Sequence, residues 1–224
     1  MHHTSDVPMS SASKTSETVA VYRSPHYGTS ALHQAFDVSC ALIGLTFLLP
    51  LFCLIALAIK LDDGGAVFYQ QVRVGRHFRL FRVCKFRSMV TGADRTGLLT
   101  SPGDARLTRV GRFLRRYKLD ELPQLLNVLK GDMQLVGARP EVECYVEIFR
   151  SQYAELLQDR PGITDPATLA YRREEEIFSA GQMEQQYVEE ILPAKIKLSL
   201  GYQKQRTFLS DAQILLRTVF GLIN

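Results

Sequence analysis

Apolar and polar positions divide the chain into three parts. Residues 1–30 are rich in Ser and Thr and show no apolar periodicity, a composition that predicts a disordered tail over residues 1–31. Ala41 to Ile59 holds no charged residue, and this stretch is long enough for one helix to cross about 30 Å of hydrocarbon. The rest, residues 63–224, mixes apolar and polar side chains and predicts one folded domain.

Pro50 lies in the middle of the apolar segment. Proline removes one backbone hydrogen bond and clashes with the preceding turn, so it predicts a kink. Two arrangements are compatible with this pattern: a kinked helix that spans the bilayer, and a hairpin that returns to the face it entered. The residues alone slightly favour spanning. The basic stretch that starts at Lys60 places the C-terminal side of the segment in the cytosol.

The folded part predicts an α+β fold that is mostly helical. Alternation of apolar and polar residues on both sides of Gly75 predicts a small β-hairpin within residues 66–89. Helical spacing predicts helices over residues 105–118, 122–129 and 141–158. Loops are predicted at 136–140 and 160–166, and mainly helical structure from 167 to 224.

Charge is unevenly distributed along the chain. Residues 60–118 contain 14 Lys and Arg against 4 Asp and Glu, although the net charge of the whole chain is only +4. A basic region of this kind meets phosphate, in lipid head groups, nucleotides or nucleic acid. The helix predicted at 105–118 suits an anionic bilayer surface, and equally an ordinary exposed position. The four cysteines show no metal-binding or disulfide spacing, which fits a domain that faces the cytosol.

Asp120 and Glu121 form the most informative polar pair in the sequence. Pro123 follows them, so a structural role at the start of a helix explains both acids. Arg115 and Arg139 flank them, however, and cations are expected to keep Asp120 ionised with a lowered pKa. An ionised Asp is a nucleophile for phosphoryl groups, and a neighbouring Glu can hold Mg²⁺ together with substrate phosphates. Both interpretations stay open at this point.

Four stretches carry a resemblance to a known family. They are VFYQQVRVG (67–75), FRVCKFRSM (81–89), DARLTRVGRFLRRYKLDELPQLLNVLKGDMQLVGARPE (104–141) and RPGIT (160–164). From about Phe36 to the C-terminus the chain resembles the bacterial sugar transferase family, the small monotopic polyprenyl-phosphate phosphoglycosyl transferases.

The resemblance implies a reaction. A UDP-sugar donates sugar-1-phosphate to undecaprenyl phosphate and UMP leaves, which begins a lipid-linked glycan such as an exopolysaccharide, a capsule or the O-antigen of lipopolysaccharide. Asp120 is then the nucleophile that forms an aspartyl-phosphosugar, and Glu121 binds Mg²⁺. The residues expected to bind phosphates or fix the loops around them are Lys85, Arg87, Arg115, Arg139 and Arg160.

The resemblance also implies how the chain meets the membrane. Residues 32–62 are expected to form a re-entrant helix broken at Pro50, which replaces the slight preference for spanning. The catalytic domain, residues 63–224, then lies on the cytoplasmic face of the bacterial inner membrane, against membrane lipids. A homodimer is compatible with this arrangement.

The chain departs from the family pattern at several positions. Lys118 stands where Ser is frequent, and Ala138 stands where Pro is common. Asp165 follows the RPGIT stretch in place of Gly. The family has an acidic residue shortly before Tyr187, and Glu184 is the nearest candidate. These differences bear on donor preference more than on the reaction.

Two alternative functions follow from the residues. The first is a non-catalytic membrane scaffold whose basic face holds anionic lipids. The second is a membrane-tethered nucleic-acid binder, which the missing RNA-binding glycine pattern and the adjacent apolar segment disfavour, so we expect no nucleic-acid partner. Donor choice depends on pocket contacts that these motifs do not encode, so the sugar and the pathway stay open.

Overall fold

A computed structural model of the chain describes residues 31–93, 97–178 and 182–223. The disordered tail predicted over residues 1–31 lies outside these ranges, except for Ala31. The α-helices are α1 (Ala31–Asp63), α2 (Arg109–Arg116), α3 (Leu125–Lys130), α4 (Glu143–Ile148), α5 (Arg150–Leu156), α6 (Pro166–Ala170), α7 (Met183–Gln186), α8 (Leu192–Gln205) and α9 (Phe208–Ile223). The strands are β1 (Phe68–Val74), β2 (Leu80–Phe86), β3 (Gln134–Val136) and β4 (Gly162–Thr164). The α+β class, mostly helical with a small hairpin, is thereby confirmed.

The predicted hairpin is present as the antiparallel pair of β1 and β2. Tyr69 pairs with Lys85, and Arg73 pairs with Phe81. Paired residues of antiparallel strands lie on the same side of a sheet, and so do residues two positions apart. Arg73 and Lys85 therefore share one face of the hairpin.

The second sheet was not predicted. β3 and β4 form a parallel pair in segments that the sequence assigned to a turn and a loop. Gly137 N–H donates to Thr164 O and Gly162 N–H donates to Ala138 O, both at 2.9 Å. A Cβ on Gly162 would lie 2.1 Å from the Gly137 nitrogen, so a side chain at this position would clash with backbone. Three-residue strands that pair across the fold leave no alternation to detect in a sequence.

The predicted helices are shorter than expected or divided. The helix expected over residues 105–118 is α2, which begins at Arg109 after Thr108 accepts a hydrogen bond from Gly111 N–H at 2.9 Å. The helix expected over 122–129 is instead a 3₁₀ segment, Leu119–Gln124, followed by α3. The helix expected over 141–158 is divided into α4 and α5 at Phe149.

One face of α1 packs against the domain over most of its length. Ala41 belongs to a buried cluster with residues of α3, β3 and α9, whereas Ile55 and Ile59 pack with Phe86 and Leu114. The opposite face is apolar and exposed, as at Phe47, which is 81% accessible. By length and composition alone, α1 is able to cross a membrane.

The break expected at Pro50 is not seen, because α1 continues through this residue as one helix. Loss of a single backbone hydrogen bond is tolerated here since residues on both sides of the proline pack on the same domain. Both ends of α1 also contact that domain: the rings of Phe36 and Phe208 lie 5.0 Å apart, and Arg87 forms an ion pair with Asp63. The re-entrant path through a bilayer stays a prediction.

Candidate active site

A cavity of about 390 Å³ lies between the hairpin, the α2–α3 connection, the segment after β3 and the N-terminal part of α8. Among the described residues, its lining includes nine Lys and Arg but five Asp and Glu. This excess of positive charge suits an anionic ligand. The cavity brings together most of the site residues expected from the sequence: Lys85, Arg87, Arg115, Asp120, Glu121 and Arg139.

Asp120 and Glu121 lie in the 3₁₀ segment rather than at the first turn of an α-helix. Lys118 precedes this segment in the left-handed conformation, with φ 54° and ψ 21°, and turns the chain between α2 and the two acids. Asp120 is only 5% accessible, and its Oδ1 forms no hydrogen bond with any described residue. A buried carboxylate oxygen without a partner is costly in free energy, and therefore points to a functional role.

Glu121 is paired with two cations, unlike Asp120. Both of its carboxylate oxygens accept from the Arg139 guanidinium, with Nη1 at 2.8 Å from Oε2. The Lys85 ammonium lies 3.6 Å from Oε1. A two-pronged guanidinium–carboxylate contact fixes both side chains in orientation, so Glu121 holds Arg139 at the cavity wall.

The two acids have opposite pKa shifts. Burial raises the pKa of Asp120, the neighbouring Glu121 raises it further, and the charges of Lys85, Arg115 and Lys118 oppose this rise only in part. Burial also acts to raise the pKa of Glu121, but Arg139 and Lys85 outweigh it and hold that pKa well below its usual range. The prediction of a lowered pKa for Asp120 is wrong, because desolvation and a negative neighbour are stronger than the surrounding cations.

Lys85 is held at the site by β2 and by a buried asparagine that sequence reasoning missed. Asn127 accepts from Cys84 N–H at 2.9 Å and donates to Arg82 O at 2.7 Å, which joins α3 to the strand on both sides of Val83. Burial lowers the pKa of Lys85 to about 8, although Glu121 acts against this shift. The ammonium therefore loses its proton just above neutral pH.

Arg115 and Arg87 line the cavity in different ways. Arg115 Nη2 lies 3.5 Å from Glu175 Oε2, so this guanidinium is already paired with a carboxylate of the chain itself. Arg87 is 7% accessible, pairs with Asp63 at the end of α1 and donates to Thr91 Oγ1 at 3.3 Å. Arg87 thus ties α1 to the cavity wall, whereas Arg115 has a partner that a phosphate can replace.

Arg160 does not line the cavity, in contrast to the other expected site residues. Its backbone oxygen accepts from the Gln134 side-chain amide at 2.6 Å, beside the β3–β4 pair. That pairing fixes the backbone directly before Arg139. The RPGIT stretch therefore positions Arg139.

A buried ionic network forms the far wall of the cavity, and no local sequence pattern predicted it. Arg73 donates to Glu141 Oε1 at 2.5 Å and to Pro140 O at 3.2 Å, while Tyr187 donates to Glu141 Oε2 at 2.6 Å. Lys195 reaches Glu174 at 2.7 Å on the same wall. These contacts join residues far apart in the sequence, which only the fold brings together.

Two departures from the family pattern have structural explanations. Glu184 accepts from the Tyr145 hydroxyl at 2.7 Å, and Tyr145 lines the cavity. Asp165 is buried, caps α6 through Thr168 N–H at 2.7 Å and accepts from Ser199 Oγ at 2.5 Å. Asp165 therefore stabilises the fold beneath β4.

Mg²⁺ is the cofactor that the resemblance implies. The described residues contain no group of three or more His, Cys, Asp or Glu side chains that would hold a metal by themselves. Mg²⁺ binds through one or two carboxylates together with substrate phosphates, and the adjacent Asp120 and Glu121 meet that need. Asp120 Oδ1 is buried without a hydrogen-bond partner among the described residues, while Arg139 shares the oxygens of Glu121.

Comparison with known proteins agrees with this site. Residues 28–224 match the family described as bacterial sugar transferase. The exopolysaccharide production protein ExoY of Sinorhizobium fredii is 39% identical over 147 residues, which cover 58% of this chain and 65% of that protein, slightly less than two thirds of its length. The UDP-glucose:undecaprenyl-phosphate glucose-1-phosphate transferase of Caulobacter vibrioides is 35% identical over 203 residues, 89% of this chain and 72% of that protein.

A third relative points to a different sugar. The protein of Bacillus subtilis described as a putative undecaprenyl-phosphate N-acetylgalactosaminyl 1-phosphate transferase is 42% identical over 123 residues, 54% of this chain and 69% of that protein. The matched region of the family covers the apolar helix, the cationic cavity and the acid pair. This chain belongs to the bacterial sugar transferase family.

Proposed function

We propose that this chain transfers sugar-1-phosphate from a UDP-sugar to undecaprenyl phosphate, as the first step of assembly of an exopolysaccharide or a related glycan. The Caulobacter vibrioides relative is named for transfer of glucose-1-phosphate from UDP-glucose to undecaprenyl phosphate, and the name of the Bacillus subtilis relative also contains undecaprenyl phosphate. The observation that carries the proposal is Asp120, a buried carboxylate with an unpartnered oxygen in a cavity rich in cations.

The reaction proceeds in two displacements. An oxygen of the Asp120 carboxylate attacks the phosphorus that bears the sugar, the bond to the UMP oxygen breaks, and UMP leaves with the electron pair. A phosphate oxygen of undecaprenyl phosphate then attacks the same phosphorus and displaces Asp120. The products are undecaprenyl-diphosphate-sugar and the free enzyme.

The surroundings of Asp120 support its role as nucleophile. A carboxylate with a raised pKa is more basic than an ordinary one, and burial removes the water that would otherwise shield it. Arg139, Arg115 and Lys85 offset the negative charge of the donor's phosphates as Asp120 approaches. Glu121 keeps Arg139 aligned until a phosphate competes for it.

Mg²⁺ belongs to this proposal. Glu121, with Asp120 beside it, would hold the ion together with phosphate oxygens of the donor. When bound, Mg²⁺ neutralises charge that accumulates on the transferred phosphoryl group. Chelation with EDTA should abolish UMP release, and Glu121→Gln should raise the Mg²⁺ concentration that restores half of the rate.

A membrane location at the inner leaflet also belongs to the proposal. The outer face of α1 is apolar, and α9 adds exposed apolar residues such as Phe220. Since both ends of α1 contact the same domain, a helix that dips into one leaflet keeps the cavity close to the lipid phosphates. Labelling of engineered cysteines at the two ends of α1 in intact cells and lysates tests whether both face the cytosol.

The central experiment traps the covalent intermediate. The purified protein is incubated with a panel of UDP-sugars labelled in the sugar, without acceptor, and protein-bound label and UMP are measured. The wild type should retain label with one donor class, and Asp120→Asn should retain none. Glu121→Gln keeps the nucleophile and should still become labelled, although more slowly.

Two outcomes would contradict the proposal. Retention of label by Asp120→Asn at the wild-type rate would move the nucleophile to another residue. Lack of UMP release with every donor in the presence of undecaprenyl phosphate and Mg²⁺ would favour the membrane scaffold instead.

A further inference from the structure

We propose that Lys118 binds the phosphate of the lipid acceptor and thereby places it next to the phosphorus carried by Asp120. The inference rests on the proposed function, because it assigns a second phosphate to the same cavity.

Lys118 has no counter-ion of its own. It lines the cavity and is half-buried, yet its ammonium forms neither an ion pair nor a side-chain hydrogen bond with any described residue. Other cations of this wall are engaged: Arg139 and Lys85 with Glu121, and Arg115 with Glu175. An uncompensated ammonium in a cavity is the group best able to receive an additional anion.

The charge of Lys118 already acts on the reacting groups. It lowers the pKa of both Asp120 and Glu121, although burial of each carboxylate is the larger effect. A phosphate bound to this ammonium would lie in the cavity that both acids line. That is the place which an acceptor must reach to attack the adduct on Asp120.

The backbone of Lys118 is fixed in an uncommon conformation. A residue other than glycine is strained at φ 54°, because its Cβ comes close to backbone atoms in the left-handed region. The turn is held on both sides, since Lys118 N–H donates to Arg115 O at 3.1 Å and Glu121 N–H donates to Lys118 O at 3.3 Å. Glycine or asparagine would satisfy this turn more easily, so the turn alone does not explain the lysine.

The neighbours of Lys118 favour the lipid acceptor over the nucleotide donor. Leu119 packs in the cluster that Ile55 and Ile59 of α1 form with the domain. On the other side, the rings of Tyr117 and Phe113 lie 4.8 Å apart at an angle of 52°, and both are exposed. Aromatic and basic residues beside an apolar helix suit the level of lipid head groups, so Lys118 lies where the cavity meets the membrane surface.

The test separates the two substrates. In a two-displacement mechanism kcat/KM for the donor reports only the first half-reaction, and kcat/KM for the acceptor reports only the second. We expect Lys118→Asn to lower kcat/KM for undecaprenyl phosphate about tenfold and kcat/KM for the UDP-sugar by a clearly smaller factor, since the charge of Lys118 also acts on Asp120. Asn tolerates the left-handed turn, and Lys118→Gly is a second variant that relieves it entirely.

Arg116→Gln is the matched control. The substitution removes one positive charge two residues before Lys118, at the end of α2. Arg116 is exposed, however, and does not line the cavity. Both kcat/KM values should stay within about twofold of the wild type. A loss of acceptor kcat/KM equal to that of Lys118→Asn would show that general surface charge, and not this residue, attracts the acceptor.

A binding measurement makes the inference independent of turnover. Equilibrium dialysis in detergent should show that farnesyl phosphate binds the wild type more tightly than farnesol does, and that Lys118→Asn removes most of this difference. If the wild type transfers no sugar yet shows this dependence, the proposed reaction fails and the phosphate site stands. Unchanged acceptor kinetics and binding in Lys118→Asn overturn the inference, and so does a loss confined to the donor.

Discussion

The two walls of the cavity are built from the same kinds of residue but differ in how completely their charges are satisfied. On the far wall, Glu141 accepts from Arg73, from Tyr187 and from the backbone N–H of Val142 at 2.5 to 2.8 Å. The other wall carries Asp120 and Glu121 and is called the catalytic wall here. On this wall, Asp120 keeps one oxygen without any partner among the described residues. Both carboxylates are buried to a similar degree, so satisfaction of their oxygens is what distinguishes them.

This contrast separates structure from chemistry. A buried ionic network whose members are all satisfied fixes one arrangement of the chain and has no reason to react. A buried carboxylate that is left unsatisfied keeps a high free energy, which binding of a cation or attack on phosphorus relieves. The far wall thus holds the fold in place, and the catalytic wall holds the reactive group.

The largest expected effect is on Asp120. Asp120→Asn removes the nucleophile with almost no change in shape, so turnover should fall at least about a thousandfold. Glu141→Gln on the far wall should act chiefly through a lower melting temperature. Initial rates of UMP release and thermal melting of both variants measure this contrast. Equal loss of turnover at unchanged stability in the two variants would show that both walls are catalytic.

The stability of Asp120→Asn sharpens the same comparison. The pKa of Asp120 is higher in the folded protein than its ordinary value of 3.8. Its contribution to stability is therefore fully present below that ordinary value and is lost as the pH rises through the folded pKa. We expect Asp120→Asn to melt at a higher temperature than the wild type at neutral pH, by a margin that disappears in acid. A margin independent of pH would contradict the raised pKa.

Arg139→Lys should lower kcat/KM for the donor about a hundredfold, because an ammonium cannot contact two oxygens of Glu121 or of a phosphate as a guanidinium does. Arg150→Lys is the control, since Arg150 and Glu147 form an exposed ion pair on the surface. Steady-state kinetics with a saturating acceptor give both values. A loss below about threefold for Arg139→Lys would mean that Arg139 contributes charge alone.

The pH dependence of the donor half-reaction should report Lys85. Its pKa of about 8 means that its charge is lost as the pH rises above this value. We expect kcat/KM for the donor to fall by about tenfold for each pH unit above the pKa. Lys85→Arg keeps its charge and should extend the plateau beyond pH 9. The same descending limb in both proteins would assign it to another group.

The smallest effect is expected on the far wall. Tyr187→Phe removes the hydroxyl that donates to Glu141 and should lower the free energy of unfolding by about 2 kcal/mol. Tyr117→Phe is a matched control on an exposed tyrosine and should stay within about 0.5 kcal/mol of the wild type. Denaturant titration measures both. Equal stability of the two variants would show that the network contributes little to the fold.

Much of the site was predictable because its residues lie in continuous motifs. The acid pair and Lys85 stand in stretches whose spacing resembles the family, and the structure places them in one cavity. Arg160 was expected beside them for the same reason, but it does not line the cavity, and its backbone lies beside the β3–β4 pair that precedes Arg139. A motif indicates that a residue belongs to the region of the site, and does not indicate whether its side chain lines the cavity.

The apolar segment shows a similar limit. Its length and composition predicted a membrane helix, and the family resemblance implied a break at Pro50 that the structure does not contain. Proline weakens a helix locally, because it removes one backbone hydrogen bond. Packing of both halves of α1 on one domain stabilises the helix through contacts with residues distant in the sequence, which a local pattern does not contain.

The sequence by itself determined the fold class, the apolar helix, the hairpin and the identity of the two acids, since these follow from local periodicity and continuous motifs. Only the tertiary structure decided that Glu121 is paired with a cation, whereas Asp120 keeps an oxygen without a hydrogen-bond partner among the described residues. Glu121 is paired because Arg139, 18 positions away, folds back onto it, and Glu141 is satisfied by Arg73, 68 positions away. Burial and pairing depend on such distant contacts, and these two effects shift the pKa values of Asp120, Glu121 and Glu141.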